Sequence, residues 1–406
     1  VTGRRRVTRA VPALVCALVV GCGGDPAPSD PARTEVQRVL DRRSEAVLER
    51  DETAYRSTEA PAADAGADQR ATGMAEFAHL RQLPLASWSY RLTGFRRSGD
   101  RATAEAELRY RIRGYDREPV TAARALTLSH DDGTWYVASD EPAHDAAEQL
   151  WEQGSVRAVD GRYSLVLGVG HSEAALRAYA DAADRAVPAV SDAWGDDWTG
   201  RVVVLVPETL EEMAGLLGAP ASSYRGIAAV TTGETGGRAR APADRVIVNP
   251  DAYDLLGDFG GQVVLTHETT HVATRARTTA ATPLWLSEGY ADWAAYRSTG
   301  RGADRIAPEL RREVRAGRVP AGLPDDADFA FGGDAAGLAV AYEGSWLACR
   351  MIAERWGDAR LNEFYRAVGG HGERAGAVET ALRDVLGTTR ERFTGEWREY
   401  LRRQLG

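Results

Sequence analysis

The chain has 406 residues, more than one ordinary hydrophobic core takes up, so two domains are the starting expectation. Its hydrophobic share of 44% and charged share of 27% are ordinary globular values. A formal net charge of −9, more negative still without the four Arg of the first 21 residues, argues against nucleic acid as a general partner.

Arg4, Arg5, Arg6 and Arg9 precede an apolar run over 11–20, too short to span a bilayer as a stable helix. The run ends in Val19-Val20-Gly21-Cys22, which resembles a bacterial lipobox. The resemblance implies that 1–21 is a lipoprotein signal peptide and that the Cys22 thiol is lipidated. The protein would then be extracytoplasmic and held to the cell membrane by its lipid, with 22–33 as a tether. A plain secretory signal with an accidental Cys is the other reading. Cys349 would be the one cysteine left in the mature chain, which excludes an intrachain disulfide there. It lies in an apolar helical run and reads as a small core residue.

Residues 34–145 form the first expected domain. Val36, Val39, Leu40, Val47 and Leu48 recur at helical spacing, which predicts one amphipathic helix over 34–58. Polar, Ala-rich sequence follows to about Gly73. From 87 to 139 the pattern turns to strands, with Gly99-Asp100 and Asp132-Gly133 as turns. A long helix followed by a curved antiparallel sheet is similar to the cone of the SnoaL-like, nuclear-transport-factor-two-like families. Such a domain is a ligand pocket or a spacer.

Residues 146–406 form the second. A helical link over 143–153 leads into it. Strands are expected over 162–169, 201–206, 226–231 and 245–249, and helices over 173–193 and 209–217. From Gly260 onward the chain reads as helix almost throughout. The fold class is therefore α+β, a small sheet being followed by a mostly helical half.

The chemistry concentrates in Thr266-His267-Glu268-Thr269-Thr270-His271, which follows an apolar stretch. Helical positions i and i+4 project from one face, so His267 and His271 can reach one metal ion. Glu268, turned about 100° from His267, lies where a carboxylate can take a proton from metal-bound water. Catalytic zinc usually has three protein ligands and one open position. Glu288, in Trp285-Leu286-Ser287-Glu288-Gly289, follows His271 closely enough for a loop and a helix that turns back.

These two segments together resemble the gluzincin metallopeptidases, in the peptidase MA-like branch near the gluzincin aminopeptidases. The resemblance implies Zn2+ held by His267, His271 and Glu288, with Glu268 as the catalytic base and peptides or proteins as substrates. Asp292, one turn after Glu288, is either a solvated acid or, by the same resemblance, the acceptor that orients a ligand imidazole. Tyr342, in Ala341-Tyr342-Glu343-Gly344 opening a helical run, resembles the family's oxyanion-stabilising Tyr, although Gly follows Glu immediately. His371 is the competing donor. The family's Gly-Ala-Met-Glu-Asn strand corresponds here to Gly226-Ile227-Ala228-Ala229-Val230, which has no acid to grip a free amino group. Beside the zinc peptidase stands a second reading, a surface-anchored binding or assembly module with an inactive or structural metal site.

Overall fold

The computed structural model describes residues 30–61, 67–232, 243–330 and 334–406. The expected signal peptide, Cys22 and the expected tether as far as residue 29 lie outside the described residues. Among the described residues no helix is long and apolar enough to cross a membrane.

The first helix, α1 (Pro31–Glu49), starts inside the segment expected as tether, with Asp30 capping the Ala32 amide at 3.0 Å. It does not run on to 58. Arg50 adopts the left-handed conformation (φ 59°) and its amide closes α1 on Ala46 and Val47. Asp51 then caps a separate short helix, α2 (Glu52–Arg56). Leu48, counted on the apolar face, is 42% exposed, whereas Val36, Val39, Leu40 and Val47 are buried. The Ala-rich stretch contains a further helix, α3 (Ala67–His79).

Strands β1 (Leu85–Ser98), β2 (Arg101–Ile112), β3 (Val120–Asp131) and β4 (Thr134–Pro142) make an antiparallel meander in the order β1-β2-β3-β4. Its hairpins turn at Gly99-Asp100 and Asp132-Gly133. Asp132 and Gly133 both have positive φ (46° and 77°), the backbone that a tight hairpin turn requires. Side chains alternate as a half-buried sheet must. On β2, Ala102, Ala104, Ala106, Leu108, Tyr110 and Ile112 face the apolar cluster, and Arg101, Thr103, Glu105 and Arg109 face outward.

The expected helical link is mostly irregular; only α4 (Leu150–Gln153) is helical. A second sheet has the order β5-β6-β7-β9-β8, from β5 (Arg157–Asp160), β6 (Ser164–Gly168), β7 (Val202–Val206), β8 (Ala229–Thr231) and β9 (Val246–Val248). Strands β6, β7 and β9 are parallel, and β5 and β8 are antiparallel edges. The apolar cluster inside the first sheet continues past Trp151 to Leu165, Val203 and Ile247 of the second. Arg245, buried at the start of β9, grips Asp116 with two hydrogen bonds of 2.7 Å. The two sheets therefore share packing and charge pairing.

Helix α5 (Glu173–Trp194) lies between β6 and β7 in sequence, and α6 (Leu210–Leu217) follows β7. The one-turn α7 (Pro250–Tyr253) leads into α8 (Gly257–Thr274), which packs on α5 and on the edge strand β8. The remainder is helical: α9 (Leu284–Tyr296), α10 (Ala303–Ile306), α11 (Pro308–Arg315), α12 (Ala335–Trp356), α13 (Asp358–Gly369), α14 (Ala377–Asp384) and α15 (Arg390–Leu405). Helix α9 packs against both α8 and α12. Cys349 of α12 is fully buried, and burial pushes its thiol well above the usual range.

Candidate metal centre

Helix α8 presents His267 and His271 one turn apart on the side facing α9. The α8–α9 connection ends at Pro283, whose extended backbone starts α9, and the Leu284 amide is held by Asp326 at 2.9 Å. Glu288 is the fifth residue of α9, past the first turn where the helix dipole acts strongly. Its carboxylate instead faces the two imidazoles.

Three donor atoms converge there. His267 Nε2 and His271 Nε2 are 3.0 Å apart, and Glu288 Oε2 is 3.2 Å from the first and 3.6 Å from the second. Ligands placed tetrahedrally about 2.0–2.1 Å from a zinc ion are separated by about 3.3 Å. The three observed edges bracket that value, so the residues fit zinc in both chemistry and spacing. His271 and Glu288 are buried and His267 is half-buried.

The electrostatics agree. Burial alone would lower the His267 pKa, but the Asp292 charge and the bonds to Asp292 and Glu288 push it up to about 10. Burial would raise the Glu288 pKa, yet the neighbouring His271 and His267 hold it far below the usual carboxylate range. Without a metal, a proton on His267 supplies the positive charge that this donor set stabilises.

Asp292 Oδ1 accepts a hydrogen bond from His267 Nδ1 at 2.8 Å. That bond fixes the ring and turns Nε2 toward the other donors. Glu268, the residue after His267, is buried, and the Thr231 hydroxyl at the end of β8 stands 2.7 Å from its Oε2. Thr231 was not singled out in the sequence. The only available signal was its position directly after Gly226-Ile227-Ala228-Ala229-Val230.

Tyr342 lies in the third turn of α12, which starts at Ala335, so the Tyr-Glu-Gly run does not open the helix. Its ring is 6.5 Å from the His267 ring and 5.3 Å from Phe329. Glu343 points elsewhere, accepting the Leu310 and Glu309 amides at 2.6 and 3.3 Å at the start of α11. The Gly344 carbonyl accepts from the Trp397 indole at 3.2 Å. Of that run, Tyr342 is the residue near the metal centre. His371 bonds within its own turn, to the Glu373 carbonyl at 2.7 Å, and to none of the described site residues.

Gly289 explains how α9 and α12 come so close. A Cβ there would lie 2.4 Å from the Ser345 carbonyl oxygen, so only Gly admits this backbone approach. The approach sets α12, and with it Tyr342, against the helix that carries Glu288.

No family model matches the chain, and no curated protein matches its sequence. Among solved structures it is similar to native yeast LTA4 hydrolase at 12% identity and a TM-score of 0.37, over 69% of this chain and 44% of that one. It is similar to an M1 zinc metallopeptidase from Deinococcus radiodurans at 16% identity and a TM-score of 0.34, over 79% of this chain and 61% of that one. A variant of Rv3472 from Mycobacterium tuberculosis, described as a protein of unknown function, matches 29% of this chain and 73% of its own length at 15% identity and a TM-score of 0.23. The chain thus covers less than two thirds of the two hydrolase-type neighbours. The functional reading rests on the side-chain geometry above.

Proposed function

We propose that the protein is a zinc-dependent peptidase of the gluzincin type, acting at the outer face of the cell membrane where a lipid on Cys22 holds it. The observation that carries the reading is the convergence of His267, His271 and Glu288 at zinc spacing, two of them on the helix that also holds the buried Glu268. Zinc held by these three supplies Lewis acidity that brings the pKa of a water to about 7 and polarises a carbonyl.

The chain's residues do the rest. Thr231 anchors Glu268 Oε2, so the carboxylate is oriented before substrate arrives. Glu268 takes the proton of the attacking water and delivers it to the leaving amine nitrogen. Asp292 holds His267 in the tautomer that leaves Nε2 for the metal. The Tyr342 hydroxyl donates to the oxyanion that develops on the scissile carbonyl. The strand β8, last in its sheet, pairs with an extended peptide.

The test is cleavage of a peptide library with mass-spectrometric readout, comparing the zinc-loaded protein with Glu268→Gln. The variant retains zinc and loses hydrolysis by roughly a thousandfold or more. Full activity in the variant removes the role given to Glu268. Stoichiometric zinc without any cleavage by the wild type favours the binding-module reading.

A further inference from the structure

A cavity of about 330 Å³ lies between α9, α10 and α12. Two of its lining residues also touch the metal centre: Asp292 bonds His267, and the Tyr342 ring packs 6.5 Å from the His267 ring. The cavity therefore lies against His267, whose Nδ1 bonds its lining residue Asp292 and whose Nε2 belongs to the donor cluster. Its walls are apolar and aromatic, from Tyr296, Ile306, Leu338 and Trp346, with Ala339 leaving room between them. The volume is at the small end of ligand pockets and suits one large side chain.

Its charged groups are already engaged. Asp292 faces His267, and the Glu343 carboxylate is spent on the Leu310 and Glu309 amides. No Arg lines it. A basic side chain placed against Asp292 would compete with its bond to His267, and an acidic one would meet two carboxylates. An apolar side chain meets neither penalty and removes its surface from water.

Resting on the peptidase reading, we infer that this cavity is the specificity pocket for a large apolar side chain, aromatic or branched aliphatic, next to the scissile bond. Leu338 and Trp346 grip it, and Ala339 sets its depth.

The experiment has two arms. In the first, the zinc-loaded enzyme is given peptides varied through Phe, Leu, Ala, Asp and Lys on each side of the cleaved bond. At one of these positions Phe or Leu exceeds Ala at least tenfold in kcat/KM, and Asp and Lys fall below Ala. A flat profile, or a preference for Lys or Asp, overturns the inference while leaving the peptidase intact. In the second arm, a benzyl-bearing and a methyl-bearing hydroxamate bind the zinc-loaded wild type, read by calorimetry without turnover. The benzyl compound binds at least tenfold tighter; equal affinities overturn the pocket whether or not any peptide is cleaved. Absence of all cleavage together with the benzyl preference sinks the peptidase reading and leaves an apolar-ligand site beside the metal. Ala339→Trp fills the cavity and brings the benzyl-to-methyl ratio to within twofold in protein that melts cooperatively. An unchanged ratio in that variant counts against the assignment. Should it not fold, the two wild-type arms decide.

Discussion

The Thr231 hydroxyl lies 2.7 Å from Glu268 Oε2, linking the last residue of an edge strand to the carboxylate that follows His267, the first candidate metal ligand. A hydroxyl that donates to a carboxylate contributes about 1.5–3 kcal/mol. Here that energy orients a base before it acts. Thr231→Val removes the donor at nearly constant volume and is expected to lower kcat by roughly tenfold with KM within twofold. Thr231→Ser restores kcat. Equal changes in kcat and KM, or no rescue by Ser, would show that the hydroxyl serves packing alone.

Asp292 and His267 form the second such pair, and they predict how zinc binding depends on pH. The ion-free His267 titrates at about 10, so it carries a proton at pH 8 that zinc must displace. Zinc affinity therefore rises with pH up to that value. In the ion-free protein the sign for folding is opposite. The raised pKa stabilises the fold fully below about pH 6.5, its ordinary value, and that contribution is lost as pH rises through about 10. Asp292→Ala is expected to weaken zinc binding by roughly 10–100-fold. It also lowers the His267 pKa, so fewer protons leave on binding at pH 8. Calorimetry in buffers of different ionisation enthalpy measures both. Wild-type affinity and proton release in the variant would contradict the pairing.

Gly289 and Ser345 set the spacing of α9 and α12. Adding one methyl group at 289 pushes against the Ser345 carbonyl, 2.4 Å away, which is backbone and cannot swing aside. Gly289→Ala is expected to destabilise the fold by about 1–3 kcal/mol in urea unfolding. It should also lower kcat, because Tyr342 moves with α12. Gly395→Ala, also inside a helix but with nothing within 4 Å of an added Cβ, is the control without a clash. A Gly289→Ala variant as stable as wild type would mean the helices can part freely.

The legible parts of this protein were those written in local chemistry. The i, i+4 histidines required a helix, and Pro283 marked where the next one begins. The hairpins at Gly99 and Gly133 followed from turn residues between alternating strands. What was hidden depends on neighbours distant in sequence. The break at Arg50 places a residue with no preference for the left-handed region exactly where two helices separate, so periodicity ran straight through it. Leu48 matched the apolar spacing but lies 42% exposed in the last turn before that break. Helix α3 was masked by Ala-rich polar sequence with little apolar contrast. The link over 143–153 has helix-forming residues, yet its chain must cross between sheets and only its last turn closes. The Ala341-Tyr342-Glu343-Gly344 run reads as the opening of a helix, whereas the helix begins at Ala335, seven residues before Tyr342. Thr231 reaches Glu268 across 37 positions, a relationship no local pattern carries.

The account stands on one polyhedron of three side chains. Anomalous scattering at the zinc edge from crystals of the zinc-loaded protein tests it most directly. It should give one strong peak per chain, bonded to His267 Nε2, His271 Nε2 and the Glu288 carboxylate. A peak elsewhere, or none at that position with Glu288 turned from the imidazoles, would contradict the account.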